Sequence, residues 1–372
     1  MRVLFLTRYG ERAASSRQRC YQFLPLLAEA AIQAEVSPLL SDDYVVSLNA
    51  GRSPRLTRIA TAYLRRLGVL LRIRGRYDLV WIEKEALPWL PAWPELALFK
   101  LAGVPVVLDY DDAVFHAYDQ HRNPLVRLML GRKIAKLMAA ARRVISGNPY
   151  IGEWARKHGA RDVVELPTVV DVDRYHGTPR QHDGRPFTIG WIGSSLTSAY
   201  LEPLRPMLAE LAQRLPLRIL LSGANPQALD GLPVDRRAWS LEREAEDLAL
   251  CDVGIMPLPD EPWERGKCGY KLIQYMASAL PVIASPVGVN RNIVLPGVTG
   301  FLAEEPAAWS AALERLAHDP ELRDRMGLAG RHRAEQHYSL AVAAERLCEF
   351  LSNASYPPPG SINGPSEVRS SR

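Results

Sequence analysis

Short apolar runs alternate with longer amphipathic segments along most of the chain. Residues 3–7, 79–83 and 104–109 form short apolar runs, which are typical of buried parallel strands. Between such runs, apolar residues recur at helical spacing, as in residues 17–30 and 125–141. Regular alternation of strand and helix predicts an α/β protein, with parallel sheets that carry helices on both faces.

The same alternation starts again after a polar stretch at residues 177–186, which has the composition of a linker. The strands predicted beyond it are residues 187–193, 217–222, 238–241, 253–256, 282–284 and 300–303. We therefore predict two doubly wound domains, residues 1–178 and 186–338. Residues 356–372 are rich in proline, glycine and serine, which predicts a disordered tail.

Composition narrows the class of protein. The chain has 372 residues, of which 47% are hydrophobic and 23% charged, so it has room for two ordinary globular domains. Its 4 cysteines are widely spaced and form no CxxC pair, which favours a reducing compartment over a disulfide framework or a zinc site. The start of the chain leads directly into a strand, and no apolar run has the length of a membrane span. We expect a cytoplasmic protein without a signal peptide.

The net charge of +5 is concentrated in the first domain. Residues 44–77 contain eight arginines and no acidic residue, and their apolar residues recur at helical spacing. Residues 120–152 also contain no acidic residue. A basic amphipathic helix indicates contact with an anionic membrane surface, here the inner face. The alternative is a core-facing helix with a solvated arginine face. We expect no nucleic-acid partner, because no binding motif accompanies the charge.

Residues 257–302 are the most informative segment. Lys267 and Lys271 flank the start of a predicted apolar helix, residues 272–280, directly after Gly269. A helix N-terminus with added cations binds anions. The strand that follows ends in a glycine turn, where a doubly wound sheet opens its ligand crevice. The segment therefore predicts a site for a phosphorylated ligand.

This segment also resembles a known family. Gln274-Tyr275-Met276-Ala277, then residues 280–288 (LPVIASPVG) and 296–302 (PGVTGFL), are similar in register to the EAMACGLPVVATDVGG and DGVTGLL motifs of retaining glycosyltransferases of family 4. Residues 319–339 resemble the end of the same enzymes. The resemblance implies the GT-B fold, in which two Rossmann-like domains face a cleft and the last helix, here residues 339–355, crosses back to the first domain.

The resemblance also implies an activity: transfer of a sugar from a nucleoside-diphosphate sugar to an acceptor hydroxyl, with retention of configuration and no obligatory metal or other cofactor. The acceptor expected is a lipid-linked or envelope glycan. Two alternatives stay open, a GT-B sugar-nucleotide epimerase and a non-catalytic nucleotide-sugar-binding or scaffold protein. A dinucleotide dehydrogenase is disfavoured, because neither half opens with a full GxGxxG motif.

One departure from the family concerns its Glu-x7-Glu helix. The first glutamate position, which in the family contacts the donor sugar, falls on Gly266, and the second, which contacts the ribose, falls on Gln274. A glutamine amide can still hydrogen-bond a ribose diol, whereas glycine has no side chain. The candidates to replace the sugar contact are Asp260, Glu261, Glu264 and Lys267.

The predicted donor site lies on the second domain. Lys267 and Lys271 would neutralise the diphosphate, Gln274 would hold the ribose, and Trp239 would either stack on the base or pack in the core. The remaining members are the loop after the first strand of this domain and the start of the predicted helix, namely Gly193, Ser194, Ser195, Gly269 and Tyr270.

The first domain is predicted to supply the remaining groups. Asp111 and Asp112 end a buried strand at its crevice side, where they would bind sugar hydroxyls or a divalent metal. The resemblance favours the sugar, and it makes His116 the candidate for a histidine that the family carries nearby. The helix start near residue 15 offers an acceptor-phosphate site or an ordinary cap with exposed arginines; its members are Ser15, Ser16, Arg17 and Arg19.

Overall fold

Two parallel sheets of six strands each form the scaffold of the described part of the chain, residues 1–49, 56–178 and 184–355 of a computed structural model. The strands are β1 (Arg2–Tyr9), β2 (Gln33–Leu40), β3 (Leu79–Glu83), β4 (Val106–Tyr110), β5 (Arg143–Ser146), β6 (Val163–Glu165), β7 (Phe187–Ile192), β8 (Leu217–Ser222), β9 (Val234–Arg237), β10 (Val253–Met256), β11 (Val282–Ala284) and β12 (Gly300–Leu302).

Helices cover both faces of the sheets. They are α1 (Ala14–Arg19), α2 (Leu24–Glu29), α3 (Asp42–Asn49), α4 (Leu56–Leu70), α5 (Ala92–Ala102), α6 (His116–Asp119), α7 (Pro124–Leu130), α8 (Lys133–Ala140), α9 (Pro149–Lys157), α10 (Arg205–Arg214), α11 (Glu244–Ala249), α12 (Pro262–Arg265), α13 (Tyr270–Ala277), α14 (Asn290–Ile293), α15 (Pro306–His318), α16 (Pro320–His337) and α17 (Leu340–Ser355). Short 3-10 turns lie at Tyr21–Phe23, Val172–Arg174 and Thr197–Leu204.

The strand order confirms the predicted doubly wound architecture. The first sheet runs β2-β1-β3-β4-β5-β6, and the second runs β12-β11-β10-β7-β8-β9. In each sheet the winding reverses once, between β1 and β3 in the first and between β7 and β10 in the second. Open α/β sheets bind ligands at the carboxyl ends of the strands next to such a reversal. The fold therefore points to the loops after these four strands.

Burial explains which strands the sequence reveals. Every residue of β3 and β4 is buried, and strands covered on both faces appear in sequence as continuous apolar runs. The edge strand β2 was not predicted, because it is only partly buried and contains Pro38. Proline is tolerated in an edge strand, since one side of that strand forms no hydrogen bonds to a neighbouring strand.

Several predicted boundaries are wrong. The helix predicted at residues 17–30 is divided into α1, a 3-10 turn and α2, and the one predicted at 125–141 is divided into α7 and α8. The strand predicted at 238–241 lies earlier, as β9, and the helix predicted at 272–280 is α13, which starts and ends earlier. Apolar periodicity continues across such breaks, so the pattern alone does not mark them.

Helix α4 contains the predicted basic amphipathic segment, but its arginines are not all solvated. Arg66 is buried, and its Nη2 donates to the carbonyl oxygens of Thr7 (2.7 Å) and Ser37 (2.9 Å). Burial lowers the pKa of Arg66 to about 10, in spite of nearby carboxylates. Arg58 and Arg65 are exposed. The helix therefore attaches to the first sheet by one arginine and presents others to the surface; Arg52 and Arg55 lie outside the described residues.

The last helix, α17, packs on the first sheet, as the resemblance implied. Leu347 and Leu351 are buried in one core cluster with Phe5 and Phe23. The chain enters this helix along Val170, whose N–H donates to Tyr338 O (3.0 Å) and whose carbonyl accepts from Leu340 N (2.8 Å). The C-terminal helix thus joins the second half of the chain to the core of the first. The predicted tail, 356–372, lies outside the described residues.

A search of the described helices found none with the length and apolarity needed to cross a membrane.

Truncating the crossing helix should destabilise the first core. We expect Leu347→Ala to lower the free energy of unfolding by about 2–5 kcal/mol, because it removes buried methyl groups and leaves a cavity. Urea unfolding followed by circular dichroism measures the change. Val342→Ala in the same helix is the matched control, since Val342 is 37% exposed. Equal effects of the two variants would mean that α17 does not pack as described.

Candidate functional site

A cavity of about 560 Å³ opens between the carboxyl ends of the two sheets. Its wall comes from the loop after β1, the end of β4, the loop after β7 and the start of α13. The predicted site residues that line it are Ser15, Arg17, Asp111, Asp112, Gly193, Ser194, Trp239, Lys267, Gly269, Tyr270, Lys271 and Gln274. Residues far apart in the sequence therefore meet in one cleft.

Two predicted acceptor residues lie behind the wall instead. The hydroxyl of Ser16 is buried and donates to Glu83 Oε2 at 2.6 Å. Arg19 is also buried, with its guanidinium paired to both carboxylate oxygens of Asp109 and donating to Leu166 O at 2.9 Å. Both side chains have their hydrogen bonds satisfied within the first domain, so the structure does not bring them to the cavity.

His116 and Ser195 also lie away from the cavity lining. The imidazole of His116 contacts Tyr150 Oη (2.8 Å) through Nε2 and Asp119 Oδ1 (2.9 Å) through Nδ1. Ser195 is exposed, and its carbonyl accepts from the hydroxyl of Ser198 at 2.7 Å. His116 thus belongs to a polar cluster of the first domain, beside the strand end that carries Asp111.

Lys271 gives the cavity its most distinctive charge. Its Nζ lies 4.2 Å from the centroid of the Trp191 ring, and within the described residues no carboxylate forms an ion pair with it. Burial and the neighbouring Lys267 lower the pKa of Lys271 to about 7. An ammonium without a counterion at the bottom of a cleft is a site for an anion.

The backbone around Lys271 is shaped for close approach. A Cβ on Gly193 would lie 2.8 Å from Lys271 Nζ and 2.5 Å from the Trp191 ring, so only glycine fits there. Gly269 has a φ of 65°, a left-handed conformation that glycine adopts without strain, and it leads directly into the first turn of α13. The free amides of that turn face the same end of the helix as the two lysines.

Gln274 belongs to a buried hydrogen-bond network centred on Glu244. Glu244 Oε1 accepts from Gln274 Nε2 (2.6 Å) and from Tyr175 Oη (2.6 Å), and its Oε2 accepts from Trp239 Nε1 (2.7 Å). Gln274 Nε2 also donates to Tyr175 Oη (3.1 Å), which leaves the amide oxygen of Gln274 as its acceptor for a ligand. Glu244 is not among the site residues that the sequence predicted.

A second missed residue, Lys84, neutralises the carboxylates of the first domain. Its Nζ is 2.9 Å from Asp111 Oδ1 and 3.9 Å from Asp112 Oδ2, and it donates to Ser15 Oγ at 3.0 Å. Lys84 has a φ of 64°, unusual for a residue with a side chain. Its sequence signal is a lysine directly after the buried strand β3, on the crevice side.

The two neighbouring aspartates differ in acidity. Burial opposes ionisation of Asp111, but Lys84 and Arg19 outweigh it and lower its pKa. Burial and the charge of Asp111 raise the pKa of Asp112, against the effect of Lys84. The side chain of Asp112 is 36% exposed, so its carboxylate is the more accessible of the two. Lys84 places a positive charge beside both carboxylates.

The missing first glutamate coincides with a contact between the two domains. A Cβ on Gly266 would lie 2.2 Å from the Cβ of Ala113, so no side chain fits at this position. Asn148 Nδ2 donates to the carbonyl oxygens of Gly266 (2.8 Å) and Lys267 (3.1 Å) across the same contact. The close approach brings Asp112, the neighbour of Ala113, close to the Gly266–Lys267 segment of the second domain.

The other candidates for that role are engaged elsewhere. Asp260 pairs with Arg265 at 2.6 Å on the surface, and Glu264 accepts a hydrogen bond from the hydroxyl of Tyr200. Glu261 is exposed. Of the four residues proposed from the sequence, Lys267 alone lines the cavity.

Comparison with known proteins identifies the second domain. Residues 188–319 match the family model described as "Glycosyl transferases group 1". Most of the second domain is therefore similar to group 1 glycosyl transferases. The chain is 35% identical over 81 residues to mouse alpha-1,3/1,6-mannosyltransferase ALG2, a match that covers 22% of this chain and 20% of that protein. It is 38% identical over 115 residues to a D-inositol 3-phosphate glycosyltransferase of Streptomyces griseus, with 30% and 23% covered.

Solved structures extend the likeness to the whole fold. Sucrose-phosphate synthase from Thermosynechococcus elongatus matches with a TM-score of 0.69 at 16% identity, over 95% of this chain and 99% of that one. Anabaena Alr3699/HepE in complex with UDP-glucose matches with a TM-score of 0.68 at 16% identity, over 95% and 100%. The matched segment thus stands in a two-domain GT-B fold, as the resemblance implied. The matched segments span only 20% and 23% of the two curated relatives.

Proposed function

We propose that the protein transfers a sugar from a nucleoside-diphosphate sugar to an acceptor hydroxyl, with retention of configuration. The observation that carries the proposal is the uncompensated ammonium of Lys271 at the carboxyl ends of the second sheet, in a segment similar to group 1 glycosyl transferases. A diphosphate is the leaving group whose charge such an ammonium stabilises. The structural neighbour from Anabaena, solved with UDP-glucose, supports a nucleotide sugar as the donor.

The cavity offers a place for each part of the donor. The diphosphate would lie against Lys271, Lys267 and the amides at the start of α13. The ribose would donate to the amide oxygen of Gln274, and the remaining lone pair of Glu244 Oε2 offers a second acceptor. The base would lie near Trp239. Since the two lysines supply the positive charge, we propose that no metal or other cofactor is obligatory.

Asp112 is our candidate for the donor-sugar contact that Gly266 cannot make. Its carboxyl group comes from the first domain and reaches the cavity beside Lys267. In a retaining front-face substitution, the leaving diphosphate accepts the proton of the acceptor hydroxyl, so the enzyme supplies orientation and charge rather than a separate base. Asp111, held by Lys84 and Ser15, would orient the acceptor beside it.

The alternatives predict different chemistry. An epimerase would need both carboxylates and histidines as acid and base groups on the cavity wall, but among the described residues that line the cavity there is no histidine. A non-catalytic binding protein would keep the donor site and lack turnover. Transfer of sugar to a glycan or glycolipid acceptor, with the anomeric configuration of the product read by NMR, separates the enzyme from both.

Donor binding should depend on the charge of Lys271. We expect one nucleotide sugar from a panel of UDP, GDP, ADP and TDP sugars to raise the melting temperature, with magnesium or with a chelator. Lys271→Met should weaken this binding by about tenfold to a hundredfold, since a charge-assisted hydrogen bond contributes about 1.5–3 kcal/mol. Lys157→Met, on the exposed end of α9, is the matched control. If no nucleotide sugar stabilises the wild-type protein, the proposed function fails.

Affinity for the nucleotide sugar should decrease as the pH rises above 7. The unliganded ammonium has a pKa of about 7, and a bound diphosphate raises that pKa, so binding takes up a proton. Affinity is then greatest below pH 7 and falls by up to about tenfold per pH unit above it. Calorimetry should use a nucleotide sugar and not a free nucleotide, because the terminal phosphate of a free nucleotide titrates near pH 6 and would add its own pH dependence.

Lys271→Arg provides the control for this pH dependence, because a guanidinium stays charged throughout the range. Its affinity should vary little between pH 6 and 9. If the variant keeps the slope of the wild-type protein, another group takes up the proton, and the assignment of the diphosphate site to Lys271 is contradicted.

Asp112 should affect the sugar and not the nucleotide. We expect Asp112→Asn to lower kcat/KM for transfer by about tenfold to a hundredfold, because it removes a charged hydrogen-bond acceptor. The affinity for the free nucleoside diphosphate should stay unchanged. Asp119→Asn, in the same domain and outside the cavity lining, is the control. If diphosphate affinity falls as much as kcat/KM, the substitution has changed the structure of the cleft, and the proposed contact of Asp112 with the donor sugar is contradicted.

A further inference from the structure

A patch of exposed apolar side chains lies on the first domain, outside the cavity lining. Trp93 is 71% exposed, Leu128 82% and Met129 66%. We call this surface the apolar patch; its members are Trp89, Leu90, Trp93, Leu125, Leu128 and Met129. Single exposed apolar residues are ordinary, but a group that includes two tryptophans and three neighbours from one short helix marks an interaction surface.

Contacts join the two halves of the apolar patch. The ring of Trp89 lies 5.8 Å from the ring of His121, and Arg127 Nη1 donates to His121 O at 2.6 Å. The segment around Trp89 is therefore adjacent to α7. On its other side, the hydroxyl of Tyr63 in α4 donates to Pro88 O at 2.7 Å. Helix α4 thus flanks the patch.

The flanking helix adds both apolar and positive groups. Leu56 and Leu64 are 82% and 69% exposed, although the same helix buries Arg66. Arg58 and Arg65 are exposed, and in the described part of the chain neither forms an ion pair. The surface therefore combines leucine and tryptophan side chains with arginines.

Two acidic residues near the patch, Glu95 and Asp119, are engaged by other side chains. Glu95 of α5 is buried, and its Oε1 lies 2.9 Å from Lys133 Nζ. Asp119 contacts His116 at 2.9 Å. The sequence from 120 to 152 contains no acidic residue. An apolar patch with a basic rim is complementary to a partner that has an anionic surface over an apolar interior. An acidic lipid bilayer has this arrangement.

The location of the patch relates it to the cavity. Its two segments follow the carboxyl ends of β3 and β4, the same edge of the first sheet that carries Lys84, Asp111 and Asp112 into the cleft. Tryptophan is enriched where proteins meet the headgroup region of a bilayer. A membrane below this edge would hold an acceptor close to the first-domain carboxylates.

We propose that the apolar patch and helix α4 dock the protein on an anionic lipid bilayer, with the cleft facing the membrane-held acceptor. The inference of docking is drawn from the surface residues alone, whereas the inference of a membrane-held acceptor rests on the proposed function. The exposed leucines and tryptophans insert among the acyl chains, and Arg58 and Arg65 bind the acidic headgroups.

Vesicle sedimentation tests the docking. The full-length protein is mixed with vesicles of phosphatidylcholine alone or of phosphatidylcholine with phosphatidylglycerol, at low and high salt. Binding is expected to the acidic vesicles and to weaken with salt. Trp93→Glu and Leu128→Glu should each weaken it by about tenfold or more. Arg58→Gln and Arg65→Gln should each weaken it by about fivefold, as expected for one surface charge.

Leu328→Glu is the matched control, because Leu328 is 49% exposed on α16 and far from the patch in the chain. It should leave vesicle binding unchanged. Absence of binding to acidic vesicles, equal binding to neutral ones, or an equal loss in Leu328→Glu would each overturn the proposal. The proposal would also be overturned if the protein does not bind vesicles but forms a dimer that Trp93→Glu dissociates. Nucleotide-sugar binding without vesicles is measured for each variant, so a failed donor site is distinguished from failed docking.

Discussion

The contact between the two domains at Gly266 determines the geometry of the whole cleft. Because a Cβ on Gly266 would lie 2.2 Å from Ala113, the two backbones approach as closely as packing allows. A neighbouring contact repeats the pattern, since a Cβ on Gly147 would lie 2.4 Å from Cys268 Sγ. Asn148 then ties the two sides by hydrogen bonds. This seam sets the positions of Asp112 and Lys267, the residues next to it on either side.

Charge is compensated on one side of the cleft and not on the other. In the first domain, Lys84 lies among Asp111, Asp112 and Ser15, so its charge is balanced inside the protein. In the second, Lys271 has an aromatic ring beside it and no carboxylate partner among the described residues. A balanced cluster orients neutral groups such as sugar hydroxyls, whereas an unbalanced ammonium attracts an anion. The chemistry that we propose follows from this division.

The sequence predicted the doubly wound sheets because buried parallel strands and amphipathic helices leave periodic patterns. It also placed Lys267, Lys271 and Gln274 together, since they share one helix start. It could not find Lys84 and Glu244, because their roles arise from contacts with residues distant in the chain, such as Asp111 and Tyr175. Hydrophobic periodicity carries no signal for such pairings. The same limit applies to Arg66, which looked like its solvated neighbours but is buried.

The departures from the family's two glutamates are coupled to the surroundings of each position. At the second position, Glu244 Oε1 lies 2.6 Å from the amide nitrogen of Gln274, so the pocket still contains a carboxyl group, which now comes from α11 instead of α13. At the first glutamate position, Ala113 fills the space for a side chain, and the same loop carries Asp112. Restoring either glutamate alone would therefore place like charges together or force the domains apart. Gly266 is therefore explained by its contact with Ala113, and Gln274 by its hydrogen bond to Glu244. A comparison of the motif one residue at a time does not show the carboxyl groups that Asp112 and Glu244 bring to the cleft.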